Sequence, residues 1–279
     1  CNIEIIFFEL NPMIYYFAIV TPLLALLAWV IFRRKNNNKN LTLQVLDNSL
    51  LPQLETHVDY YHKLDAISKK RFESHVARFL QYVNIEGVGL EITDLDKVLV
   101  ASSAVIPVFA LGDWEYSNLT NVILYPDTFD GDYQFEGGNR NIMGMVGTGY
   151  MNGQMLLSRS ALLKGFSSAS GAQNTAIHEF VHLIDKTDGA TDGVPEHLLP
   201  PDYATPWLKL MHLEMRRIKE GKSDIDPYAL TNEAEFFAVA AEYFFEKPGR
   251  FEQRHPELYL QLSQIFRQAP AKNSWLGKY

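Results

Sequence analysis

Apolar residues recur at helical spacing near 66–83, 94–110, 171–186, 206–220, 231–246 and 256–268. In the first of these stretches Phe72, Val76, Phe79, Leu80 and Val83 fall on one side, and Lys69, Lys70 and Arg71 on the other, as in an amphipathic helix with one solvated face. Local punctuation supports the later helices: Thr205 reads as an N-cap, Pro206 as the first helical residue and Gly221 as the residue past the end. Thr231 reads as the N-cap of the next helix and Pro248 stops it. Short apolar runs near 88–92, 121–125, 143–147 and 154–158 read as strands. Strands come before most of the helices and no internal repeat is visible, which predicts an α+β fold with a small sheet rather than a doubly wound one.

The first forty residues follow a different pattern. Ile14 to Phe32 is a 19-residue stretch without a charge, long enough at about 1.5 Å per residue to cross a hydrocarbon core of about 30 Å. Tyr15, Tyr16 and Trp29 lie towards its ends, as interfacial anchors do, and Pro22 is tolerable inside a membrane helix. Glu4 and Glu9 precede the stretch and Arg33, Arg34 and Lys35 follow it, the reverse of a cleavable leader. An uncleaved anchor over about 14–32 is therefore expected, within an N-terminal segment 1–40 that ends in the polar linker Asn36–Asn40. Residues 41–279 would form one domain. The positive-inside rule places that domain on the cytoplasmic side of the inner membrane.

Composition narrows the picture further. The single cysteine is Cys1, so the remainder has no disulfide, as suits a reducing compartment. A net charge of −8 and the absence of a basic stripe beyond Lys69-Lys70-Arg71 argue against a nucleic-acid surface. Asp127 to Gly153, rich in Gly, Asp and Asn, reads as a long loop; it fits neither a dinucleotide fingerprint nor a calcium loop.

The chemistry concentrates at His178-Glu179-Phe180-Val181-His182, an H-E-x-x-H pattern of the kind found in zinc-dependent peptidases. With 8 His in 279 residues, chance would produce it on the order of once in a hundred shuffled chains. The two histidines lie about 40° apart around a helix, one turn up the same face, so both rings reach one cation. Glu179 stands about 100° round, where a general base can take a proton from an activated water.

Such a site takes three protein ligands and keeps a fourth position open. Asp188 occupies the metzincin position, but Asp185 stands where that arrangement needs a glycine to turn the chain back. The downstream helix presents Glu233, Glu235 and Glu242 among Phe236, Val239, Ala240, Tyr243 and Phe244. Burying a carboxylate there is costly unless a cation compensates it, and Glu235 is a candidate for that role. Asp185, one turn beyond His182, is positioned to accept from a ligand's ring N–H.

HEFVHLID, DGVP at 192–195, DPYALTNEAEFFAVAAEYFF and the upstream NVILYPDTF at 121–129 together resemble the Mlc titration factor A family of zinc peptidases, itself similar to the catalytic domain of anthrax lethal factor. The resemblance spans about Lys63 to Gln268 and implies an α+β, gluzincin-like metallopeptidase domain built around the HEFVH helix. It implies that His178, His182 and Glu235 bind one Zn2+, that Glu179 is the general base, and that Tyr228 points into the active site to assist the oxyanion or the leaving amine. Asn232-Glu233 also resembles the phrase that carries the third ligand in thermolysin-like enzymes, which keeps Glu233 as an alternative. Gln154–Ser158 is the expected edge strand for extended substrate.

Three functional classes follow. One is a zinc peptidase acting on peptides or proteins, with the aminopeptidase-like activity the resemblance implies. The second is a regulatory binder that sequesters a transcriptional repressor, again implied by the resemblance, with hydrolysis incidental. The third, a structural zinc site, usually needs four protein ligands, often cysteines, and this domain has no cysteine.

Overall fold

The computed structural model describes residues 45–135, 140–147, 151–167, 171–199, 203–272 and 274–275. By its contacts the chain divides into residues 1–43 and 44–279, and every described residue belongs to the second unit. Its elements in chain order are α1 (Leu51–His57), α2 (Asp59–His62), α3 (Ala66–Tyr82), β1 (Asn84–Gly87), α4 (Asp94–Val108), β2 (Asn121–Tyr125), β3 (Gly144–Val146) and β4 (Gln154–Ser158). They continue with α5 (Arg159–Gly165), α6 (Thr175–Asp185), α7 (Ala204–Lys219), α8 (Glu233–Glu246), α9 (Pro248–Arg254), α10 (Pro256–Phe266) and the small pair β5 (Gln268–Ala269) and β6 (Ser274–Trp275). The architecture is mixed α and β with a small sheet.

The four-stranded sheet has the order β1-β2-β4-β3, with β1, β2 and β4 parallel and β3 antiparallel on one edge. Gln154–Ser158 is thus an interior strand, paired on both sides, and the expectation that it forms the edge is corrected: Gly144–Val146, from the loop-like stretch before it, takes that position. The first strand also starts earlier than its apolar run suggests. It occupies 84–87, and a Cβ on Gly87 would lie 2.3 Å from the Leu90 carbonyl oxygen, while Gly89 adopts φ +68°. That tight turn takes the chain off the ladder after the Val88 amide, which still donates to the Leu124 carbonyl at 2.9 Å.

Caps set most helix starts. Asp65 accepts from the amides of Ile67 and Ser68 to begin α3, and Thr93 with Asp96 forms a reciprocal capping box on α4. Helix α6 begins at Thr175 rather than near 171, because Asn174 caps it through the Ile177 amide. Helix α8 is capped by Asn232, not Thr231, which instead closes a 3-10 turn at Pro227–Leu230. Helix α7 starts at Ala204, two residues before Pro206, and Gly221 follows its end at φ +68°.

Helices α6 and α8 pack against each other through the core. Ile177, Phe180, Val181 and Ile184 of α6 and Phe236, Phe237, Ala240 and Phe244 of α8 are fully buried, with Trp207 and Phe266 beside them. Each large apolar side chain contributes roughly 1.5–3 kcal/mol by leaving water, which offsets the cost of carrying His178, Glu179 and Glu242 into the same region.

The expectation of a single-pass inner-membrane protein with its catalytic domain facing the cytoplasm is corrected. Among the described residues no helix is long and apolar enough to cross a membrane. The longest, α3, has 17 residues, about 25 Å of rise, and carries Lys69, Lys70 and Arg71. Residues 14–32, which carried that expectation, lie outside the described residues.

Candidate metal centre

Helix α6 carries the HEFVH residues on the side where α8 and the edge strand meet it. His178 and Glu179 are buried, and His182 is nearly so, its side chain 13 % exposed. Glu235 sits in the first turn of α8, and its amide donates to the Asn232 cap at 2.8 Å. The cap fixes that turn and turns the Glu235 carboxylate towards α6. Glu235 Oε2 lies 2.9 Å from His178 Nε2 and 3.5 Å from His182 Nε2, and the two Nε2 atoms are 3.0 Å apart.

These three atoms form a group that can hold a metal ion. Tetrahedral bonds of about 2.0–2.1 Å separate their ligand atoms by roughly 3.3 Å, which the observed 2.9, 3.0 and 3.5 Å bracket. Two imidazole nitrogens and one carboxylate oxygen form a zinc-type donor set, and three protein ligands leave a fourth position open.

Charge points the same way. Glu179, Glu235 and Glu242 crowd around two imidazoles. Burial works against a cation on His178, but hydrogen bonds to Glu235 and Glu242 outweigh it and lift its pKa to about 10. Burial likewise opposes the Glu235 carboxylate, yet His178 and His182 hold its pKa at about 2. A cation held at His178 Nε2 would lie among these carboxylates and balance their charge.

His178 Nδ1 donates to Glu242 Oε1 at 2.7 Å, and Glu242 Oε2 accepts the Asn174 amide at 2.5 Å. Glu242 thus fixes the ring orientation and the tautomer of a candidate ligand, a role sequence reasoning did not give it. The sequence signal was present: Glu242 follows Glu235 by seven residues, two turns along the same helix face. Asp185, expected in that role, does something else. Its Oδ2 accepts the Gly193 amide at 2.8 Å and its Oδ1 has no partner, as His182 Nδ1 has none. Burial pushes the Asp185 carboxyl up to about 6. It ties down the loop after α6, whose Gly193, at φ +76°, presses on the α8 N-terminus: a Cβ there would lie 2.3 Å from the Glu233 carbonyl oxygen.

Glu233 points elsewhere and pairs with His212 Nε2 at 3.0 Å on the surface. Asp188 accepts the amides of Ala190 and Glu196. Neither joins the cluster. Glu179 is buried, and desolvation raises its pKa. A Cβ on Gly144 of β3 would lie 2.7 Å from Glu179 Cγ and Oε1, so the strand backbone forms one wall against that carboxylate. Tyr228 stands in the 3-10 turn, about half exposed, with its ring centroid 6.1 Å from that of His178. Partial burial and then the negative charge of Glu235, Glu179 and Glu242 raise its pKa. Asp226 holds the turn by accepting the Tyr228 amide at 2.9 Å and Gln173 Nε2 at 2.9 Å.

Comparison with known proteins places this arrangement in a family. Residues 32–267 match the glucose-regulated metallo-peptidase M90 family. The chain is 31% identical over 221 residues to Mlc titration factor A of Klebsiella pneumoniae subsp. pneumoniae, covering 74% of this chain and 82% of that protein. It is 30% identical over 226 residues to Mlc titration factor A of Salmonella agona, covering 75% and 82%. An uncharacterized protein of Synechocystis sp. is 28% identical over 234 residues, covering 79% and 84%. The chain belongs to the M90 metallopeptidase family, to which the Mlc titration factor A proteins are related.

Proposed function

We propose that the chain is a gluzincin-type zinc peptidase whose domain spans about residues 41–279. His178, His182 and Glu235 would hold one zinc ion and Glu179 would act as general base. The observation that carries this reading is the convergence of two Nε2 atoms from α6 and one carboxylate oxygen from α8 within 4.8 Å of one another, beside the buried Glu179. A bound zinc ion supplies a lowered pKa for water and polarisation of the scissile carbonyl.

The protein's own residues do the rest. Glu179, kept proton-hungry by burial, takes a proton at its carboxylate from the attacking water and delivers it to the departing amine nitrogen. Its position one residue after His178 places it beside the ligands and off their line. Tyr228, a phenol and so protonated at neutral pH, with its pKa raised further by burial, donates a hydrogen bond to the oxygen that gains negative charge. Glu242 holds the His178 ring against rotation.

Metal analysis of the purified protein tests the reading: about one zinc per chain is expected, and a protein that takes up no zinc overturns it. Cleavage of a peptide library with free and blocked N-termini then separates end-trimming from internal cleavage.

A second reading draws on the relatives' name, which describes a factor that titrates Mlc. In it, this chain sequesters a transcriptional repressor and hydrolysis is incidental. A Glu179→Gln variant that retains full regulatory effect while losing turnover would favour sequestration.

A further inference from the structure

A cavity of about 90 Å³ opens beside the N-terminal half of α6. Ile177, Ile106, Phe166 and Phe245 give it an apolar floor, and Lys63 and Lys247 stand on its rim with Glu246. Both lysines are exposed, and among the described residues neither forms an ion pair or a side-chain hydrogen bond. His57 and Asp59 add to the polar lining. Both lysines feel the Glu246 carboxyl electrostatically without closing an ion pair on it, and an apolar floor under two such ammonium groups suits a small organic anion with a short hydrocarbon body.

The cavity wall is also wired to the metal cluster. Glu246 Oε1 accepts Asn174 Nδ2 at 2.8 Å, the Asn174 amide donates to Glu242 Oε2, and Glu242 Oε1 accepts His178 Nδ1 at 2.7 Å. Asn174 is fully buried and caps α6, so the same residue that reaches the cavity wall sets the start of the helix carrying His178.

We propose that this cavity is a second binding site, for a small organic carboxylate, and that its occupancy is transmitted to His178 through Glu246, Asn174 and Glu242. Burial lifts the Glu246 carboxyl to about 7, so near neutral pH it can present a proton to an incoming carboxylate instead of repelling it. Asp59 is the one remaining carboxylate in the lining, and it is exposed to solvent, where its repulsion is screened. The transmission, though not the binding, rests on the zinc reading above.

The test is calorimetric titration of the full chain, with and without zinc, using isobutyrate and inorganic phosphate as probes. Saturable isobutyrate binding is expected, weakened about tenfold or more in a Lys63→Met/Lys247→Met variant whose thermal unfolding matches wild type. Phosphate, which lacks the hydrocarbon body, should bind more weakly. Absence of isobutyrate binding, equal binding by the variant, or preference for phosphate overturns the site. Saturating isobutyrate should change zinc affinity, measured by chelator competition, by about fivefold in wild type and not in the double variant. An unchanged zinc affinity overturns the transmission. A chain that binds isobutyrate but no zinc refutes the metallopeptidase reading and leaves the anion site standing.

Discussion

His178 Nδ1 and Glu242 Oε1 lie 2.7 Å apart although 64 residues separate them in the chain. That bond joins α6 to α8 at the point where a metal would sit, and it divides the two ring nitrogens between partners, with Nδ1 held by Glu242 and Nε2 left for the cation. Replacing Glu242 by Ala should lower zinc affinity about 10–100-fold, because the ring loses its orienting partner. Chelator competition measures this, and an unchanged affinity would show that the bond is incidental.

The third ligand can be assigned by paired substitutions. Glu235→Gln should lower zinc occupancy sharply at low free metal, since the carboxylate faces both histidines. Glu233→Gln should leave occupancy intact. It removes only an exposed contact with His212, worth about 0–1 kcal/mol of stability. The reverse pattern would move the ligand to Glu233.

Gly144 is expected to matter for turnover more than for metal. Gly144→Ala puts a methyl group 2.7 Å from Glu179 Cγ and Oε1, so the carboxylate must shift. A misplaced base commonly costs about a hundredfold in rate. The prediction is a large fall in kcat with zinc content unchanged. Full activity in this variant would place Glu179 out of reach of the strand backbone.

A pH dependence of stability follows from a second cluster. Asp224 accepts His255 Nε2 at 2.8 Å, Arg250 Nη2 at 2.7 Å and Tyr243 Oη at 2.9 Å. Burial opposes its charge, but these partners hold its pKa down at about 2 from 3.8. A depressed acid stabilises the fold above its unfolded pKa and loses that contribution as pH falls through its folded value. Asp224→Asn should therefore cost about 2 kcal/mol at pH 5–6, and the gap from wild type should close as the pH drops from about 4 towards 2. Urea unfolding across that range reads it out, and a gap that widens on acidification contradicts the assignment.

Much of this was legible in the sequence where a pattern is local. The HEFVH helix, α3, α4 and β2 follow from periodicity within one segment, and the His178–His182 pairing follows from helical geometry alone. What depended on distant partners was not. Glu242 and Asp185 are both acidic residues near the ligands, and only the packing of α6 on α8 decides that Glu242 meets His178 while Asp185 turns to Gly193. The edge strand was misplaced for a similar reason: Gly144–Val146 is short and glycine-led, whereas Gln154–Ser158 has the apolar run, and an apolar run marks the interior of a sheet rather than its edge. The phrase that carries Glu235 is informative only beside HEFVH, because the two lie 53 residues apart between His182 and Glu235.

The central claim is that Glu179 performs proton transfer at a zinc site it does not help to build. Zinc content and peptide turnover measured together on wild type and Glu179→Gln address it directly. The account predicts about one zinc per chain in both proteins, with hydrolysis reduced to background in the variant. Undiminished turnover by Glu179→Gln, with zinc bound, would contradict it.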